Sequence, residues 1–187
     1  KYNPSTPYAS SKLKAEKLFL NFYRKEKFPI IICRFSNFYG PGQPIYRLIP
    51  KVCIMLDLGK KFPLHGSGDS ERNFIYSNDF CNGIYSAIKK GGIGSTYHFS
   101  GKETVSIRQI VSKICKKKGK KFSSFVKISA DRIKKDKIYS LSTKMTQKKL
   151  NWKCKVNLDS GLNNTIKFYK KNFRHLKYEN IEYNLKI

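Results

Sequence analysis

A chain of 187 residues that is 40% hydrophobic and 14% aromatic can bury a core, which excludes a disordered segment. It holds no run of about 18 apolar residues to span a bilayer, and its first residues are polar with no apolar signal-peptide core, so a soluble, cytoplasmic protein with no membrane partner is expected. The net charge of +27 invites a nucleic-acid reading, yet lysines are spread over the whole length while arginine, the residue suited to bidentate phosphate and base contacts, is scarce, so no specific nucleic-acid partner is expected.

In chain order, Ser5-Thr6-Pro7 supplies a cap and a proline at the first helical position, and Leu13, Leu18, Phe19 and Phe22 follow at roughly helical spacing. A helix ending near Lys27 is predicted. "PIIICRF" (Pro29–Phe35) is a short continuous apolar run, the pattern of a strand buried on both faces. Helix followed by buried strand predicts an α/β fold. The two prolines and two glycines of "NFYGPGQP" predict a loop over Asn37–Pro44, leaving the carboxyl end of that strand, where open α/β sheets bind ligands.

Further on, "YRLIPKVCIMLDLGKK" predicts a helix stopped by Gly59, with Pro50 either kinking it or standing in its first turn. A strand through Tyr76 leads to a helix closed by Gly91 or Gly92, for which Asp79 is expected as the N-cap, worth about 1 kcal/mol. "STYHFSG" is a short strand, Ser106 opens an amphipathic helix carrying Ile107, Ile110, Val111 and Ile114, and "FVKIS" is strand-like. "STKMTQKKLNW" predicts a short helix and "LDSGLNNTIKFYKKNF" a capped terminal one; the tail after Phe173 shows no periodicity and is expected to be loosely held. "GGIGS" (Gly91–Ser95) follows a helix and precedes a strand, the wrong order for a phosphate loop, so it is read as a turn. Cys33, Cys53, Cys81, Cys115 and Cys154 lack metal-site spacing and are read as reduced thiols, with no metal expected.

The chemistry lies at the first helix. Tyr8 and Lys12 stand four residues apart, so both fall on one helix face, about 5–6 Å apart at Cβ. An ammonium so placed favours the charged form of a phenol. Such a phenol can take a proton from a sugar hydroxyl and later return it. In a chain rich in lysine and tyrosine this spacing alone is a weak sign.

Its surroundings are more specific. "PYASSKLKAEKL", then "PIIICRFSNFYGPGQ" and "RLIPK", then "GSGDSERNFIYSNDFCNGI", "YHFSGKETVSIRQIV", "DRIKKDKIYSLSTKMTQKKLNW" and "GLNNTIKFY" together resemble, in order, the extended short-chain dehydrogenase/reductases of the NAD-dependent sugar-nucleotide epimerase/dehydratase family. The resemblance reaches to about Phe173. It implies the C-terminal part of a Rossmann-like NAD-binding fold interleaved with a small α/β substrate-binding domain, the N-terminal Rossmann half being absent. Residues 1–40 would hold the catalytic helix and a late Rossmann strand, and 41–187 mainly the substrate domain, with a return to the Rossmann sheet near 72–90.

The resemblance further implies Tyr8 as catalytic acid/base and Lys12 as the residue that tunes it and holds the nicotinamide ribose, both touching NAD. Phe35 and Ser36 would lie near the nicotinamide. Asn37 would bind the sugar or diphosphate of a nucleotide-diphosphate sugar, Arg47 and Leu48 would approach its base, and Arg72 and Arg132 would clamp the diphosphate, which needs charge-assisted donors. Ordinary alternatives stay open: Asn37 as a turn former, Arg72 and Arg132 as surface side chains. His98 is read as a packed or turn residue. Asn73 and Ser142 stand where the family often has Asp, and "IKK" after Arg132 replaces a usual Pro-Gly stretch.

Within the family, "SNFYGPGQPIYRLIPK" is nearest to the 4,6-dehydratases, which oxidise C4, eliminate water across C5 and C6 and reduce the product again. The Asp–Glu pair they use for elimination is expected upstream of Lys1. A 4-epimerase is the alternative, and an inactive nucleotide- or polyanion-binding module the alternative from another class. The fragment alone is expected to be inactive, and the family's habit implies a homodimer.

Overall fold

Thr6 and Pro7 start the first helix as predicted. The Thr6 hydroxyl accepts the Ala9 N–H at 3.1 Å, and α1 (Pro7–Glu26) runs until Lys27 turns left-handed at φ 56°. In this computed structural model, which describes residues 2–4, 6–130 and 137–182, α1 has no buried residue, and Leu18, Phe19 and Phe22 are exposed. The apolar spacing located the helix without marking a buried face.

β1 (Ile32–Phe35) is the expected strand, paired in parallel with β5 (Thr96–Phe99) from Ile32↔Thr96 to Phe35↔Phe99. Its four residues are only half-buried, which corrects the expectation of a strand covered on both faces: β5 is its one strand neighbour among the described residues. The predicted loop also starts later. Asn37–Tyr39 forms β2, held by β4 (Glu71–Tyr76) in the parallel register Asn37↔Phe74 to Tyr39↔Tyr76. The Gly/Pro signal is local, whereas this partner is distant in sequence and outweighs it.

β4 also pairs antiparallel with β6 (Thr104–Ser106) and in parallel with β8 (Ile138–Tyr139), while β3 (Phe62–His65) and β7 (Val126–Ser129) form a separate parallel pair. α2 (Leu48–Asp57) carries Pro50 in its first turn and stops before Gly59 at φ +66°. α3 (Ser77–Lys90) lies close on β5, because a Cβ at Gly83 would come within 2.7 Å of the Phe99 ring. α4 (Ile107–Lys117) begins with a capping box between Ser106 and Gln109. After the single-turn α5 (Phe122–Phe125) come α6 (Lys144–Leu150), α7 (Leu158–Lys171), capped by Asn157, and α8 (Phe173–Leu176).

Two apolar clusters result. One joins α2, α4 and α7 through Ile49, Val52, Ile54, Ile110, Ile114 and Leu162. The other gathers Ile75, Ala87, Tyr97, Phe99, Leu150 and Trp152 behind β1. The segment after Phe173 is held, not loose, as far as the described residues reach: Phe173, Leu176 and Ile181 pack on the first cluster, and Lys51 pairs with Glu182 at 2.7 Å.

Asp79 is structural, but not the expected cap. Tyr76 holds the N-cap position of α3 without a side-chain bond. Asp79, 2% exposed, accepts the N–H groups of Lys155 at 3.0 Å and Val156 at 2.8 Å and the Cys154 thiol at 3.2 Å, all at Oδ2. A distant loop with unsatisfied donors claimed the carboxylate.

All five cysteines are free. Burial pushes the Cys53 thiol up to about 12, and burial with the hydrogen bond to Asp79 does the same for Cys154, from 9.0. These raised values favour the native state below the unfolded pKa, and the advantage is lost as pH climbs from 9.0 toward about 12, where the unfolded chain ionises first. The urea midpoint should fall on going from about pH 8 to about pH 11, and the fall should be smaller in Cys154→Ala. An equal fall in that variant would assign the loss to other groups.

Candidate active site

One face of α1 lies along an open cleft of ≈ 700 Å³. Tyr8, Lys12 and Glu16 come from α1, Cys33, Arg34 and Phe35 from β1, Asn37 from β2, Arg72 from β4 and Tyr139 from β8, and Tyr2, Asn3 and Pro4 of the segment before α1 line it too. Of the residues singled out in the sequence, Tyr8, Lys12, Phe35, Asn37 and Arg72 therefore share one space. The four-residue spacing along α1 repeats from Tyr8 through Lys12 to Glu16. The Lys12 ammonium lies 5.5 Å from the centroid of the Tyr8 ring, and Tyr8 is 71% exposed, so the phenol is presented to the cleft and not stored in a core.

Ser36, between Phe35 and Asn37, is 3% exposed, and its hydroxyl has no partner among the described residues. Arg72 donates from Nη1 to the carbonyls of Glu71 at 2.7 Å and Lys137 at 3.4 Å. Arg47 and Leu48 do not line the cleft: Arg47 lies 5.4 Å from the Tyr46 ring and Leu48 begins α2. Arg132 lies outside the described residues.

The sequence reading missed Tyr139 and the pair Glu16–Arg34. Tyr139 reaches the cleft only because β8 sets it opposite Arg72 in the ladder. Glu16 and Arg34 left a readable trace, a carboxylate continuing the Tyr8–Lys12 spacing and an arginine inside an apolar strand. Arg34 donates from Nε to Glu16 at 2.9 and 3.2 Å and from Nη2 to both Glu16 and the Tyr2 hydroxyl, the latter at 3.1 Å. Its Nη1 reaches His98 Nε2 at 3.3 Å, and since arginine only donates, that nitrogen accepts. Burial, then the Arg34 charge, holds His98 below the ordinary imidazole range. His98 is thus a neutral packed residue, as read from the sequence. The "GGIGS" segment forms a turn, with Gly94 at φ +80° and the Ser95 N–H donating to Gly92.

A helix presenting Tyr and Lys one turn apart beside parallel strands, with Asn and Arg across the cleft, places the chain among the extended short-chain dehydrogenase/reductases of epimerase/dehydratase type. The family described as GDP-mannose 4,6 dehydratase matches residues 1–165, and the chain belongs to it. A dTDP-D-glucose 4,6-dehydratase from Mus musculus is 32% identical over 179 residues, 93% of this chain but 50% of the relative. The crystal structure of DesIV, a dTDP-glucose 4,6-dehydratase from Streptomyces venezuelae with NAD and TYD bound, superimposes with a TM-score of 0.88 at 30% identity, covering 92% of this chain and 53% of that one. UDP-glucuronic acid 4-epimerase from Bacillus cereus, in complex with UDP-glucuronic acid and NAD, gives 0.85 at 26% identity, with 91% and 55% covered. The chain spans about half the length of the curated relatives it matches. No helix among the described residues is long and apolar enough to cross a membrane.

Proposed function

We propose that the protein acts as an NAD-dependent sugar-nucleotide 4,6-dehydratase on a nucleotide-diphosphate sugar. The observation that carries this is the single cleft joining the Tyr8–Lys12 pair to Asn37 and Arg72. Tyr8 takes the proton of the C4 hydroxyl at its phenol oxygen as C4 is oxidised to a carbonyl. Water then leaves across C5 and C6, and the carbon–carbon double bond so formed is reduced by hydride at C6 and a proton at C5, so that C4 remains the ketone. Lys12, one turn on, brings its positive charge to 5.5 Å from the centroid of the Tyr8 ring. Asn37 and Arg72 hold the sugar and diphosphate.

The residues present fit the nicotinamide end of NAD: a phenol and an ammonium on adjacent turns line the cleft together with Phe35, whose ring is braced against Phe80 and Phe99, and next to Phe35 the buried Ser36 hydroxyl has no partner among the described residues. Lys12, Phe35 and Ser36 would hold it. When bound, it supplies the acceptor, and later the donor, of a hydride.

The same reading carries the division near residue 40 with a return near 72–90, for which the packing of Ile75 and Ala87 with Ile31, Cys33 and Phe35 in one cluster speaks. It also carries a homodimer, supported by the exposed Leu18, Phe19 and Phe22 and read directly by sedimentation velocity. The test of function is incubation of the natural gene product with NAD and a panel of nucleotide sugars, followed by mass spectrometry. A product lighter by one water is expected. Unchanged mass with inverted C4 would establish the epimerase instead, and no turnover of any member would remove the enzyme reading. Arg72→Ala should raise KM for the nucleotide sugar about tenfold or more, with kcat less affected, because it deletes a charged donor to the diphosphate. An unchanged KM would leave Arg72 a strand residue.

A further inference from the structure

We propose that Arg34 is the positioning residue of the catalytic helix and that its clamp on Glu16 sets where Tyr8 and Lys12 stand in the cleft; this rests on the acid/base reading of Tyr8. Arg34 lines the cleft and looks available to an anionic substrate. Most of its donors are already engaged: Nε and Nη2 grip the Glu16 carboxylate, Nη2 also holds the Tyr2 hydroxyl, and Nη1 meets the acceptor nitrogen of His98. Glu16 neutralises its charge and holds its proton more firmly still.

The mounting of α1 explains why such a clamp is needed. None of its 20 residues is fully buried, and Ala9, Leu13, Ala15, Leu20 and Tyr23 are half-buried, so within one chain apolar packing holds it less firmly than a core helix. Tyr23 rests on Gly94, where a Cβ would fall 2.3 Å from its ring, and this contact acts as a pivot near the carboxyl end. From Tyr23 to Tyr8 is about 22 Å at the helical rise, so a tilt of about 3° displaces Tyr8 by about 1 Å. Misplacement on that scale costs about 10²-fold in rate. Glu16 lies between pivot and phenol, and its pair with Arg34 is partly desolvated, at 23% and 24% side-chain exposure, and forked, which makes it stiffer than a surface ion pair. Arg34 also draws in Tyr2 of the segment leading to α1 and His98 of β5, so helix, leader and strand meet on one guanidinium.

The experiment compares Glu16→Gln, Arg34→Lys and the reversed pair Glu16→Arg/Arg34→Glu in the natural gene product, by steady-state kinetics and amide hydrogen exchange. Glu16→Gln, nearly isosteric, should lower kcat about tenfold or more with KM for the nucleotide sugar within about twofold, and should speed exchange over residues 8–16 but not in α2. Arg34→Lys, which keeps the charge but loses the fork, should follow it, and the reversed pair should recover part of both signals. A raised KM with α1 exchange unchanged would make Arg34 a substrate ligand and overturn the proposal. Faster exchange throughout α1 and α2 alike would make the pair a general stabiliser and overturn it equally. If the parent turns over no nucleotide sugar, the acid/base reading fails, while exchange over residues 8–16 still decides whether the clamp exists.

Discussion

Tyr8→Phe should leave the protein folded and able to bind its nucleotide sugar while lowering turnover by about 10²–10⁴-fold. The substitution removes one oxygen from a ring that is 71% exposed, so no core contact and no buried hydrogen bond is lost with it. Lys12, 5.5 Å from the ring centroid, keeps an aromatic face to lie against, so the helix surface is hardly altered. What disappears is the group that exchanges a proton with the C4 hydroxyl, and nothing else in the cleft on the same face of α1 can replace it: Lys12 is a donor only while charged, and Glu16 is held by Arg34. Thermal unfolding and equilibrium binding of the nucleotide sugar, measured beside kcat, separate the cases. Loss of kcat with both unchanged is the expected outcome, and undiminished turnover would take the acid/base role from Tyr8.

Why some of this was legible and some not follows from the range of the forces involved. Thr6, Ser106 and Asn157 cap their helices within three residues, and Gly59 ends α2 by its own φ, so local chemistry alone located these boundaries. The strands β2, β3, β6 and β8, of two to four residues each, carry no period long enough to read and exist only through partners far along the chain. The site divides the same way. Tyr8 and Lys12 share a helix face by spacing alone, and Asn37 and Arg72 were reached through the ordered motifs of the family. Tyr139 needed the register of β8 on β4, and Arg34 needed the crossing of α1 over β1. Arg47 and Leu48, assigned by resemblance to the nucleotide base, are not among the residues that line the cleft.

The largest stability effect should come from Asp79, a residue outside the cleft. Asp79→Ala should cost about 3–4 kcal/mol, because a buried carboxylate oxygen that satisfies two backbone N–H groups and a thiol is removed while the donors stay where they are. Those donors belong to Cys154, Lys155 and Val156, the strap between Trp152, in the cluster behind β1, and Leu158, in the cluster of α2, α4 and α7. Freeing the strap therefore loosens the seam between the two cores and leaves its amides without the acceptor they had. Asp79→Asn keeps one acceptor oxygen of the same reach and should recover more than half of the loss. Urea midpoints of the two variants at one pH decide the matter. A cost for Asp79→Ala below about 1 kcal/mol, the worth of an ordinary helix cap, would mean that the strap is held by its apolar contacts and that the carboxylate only follows it.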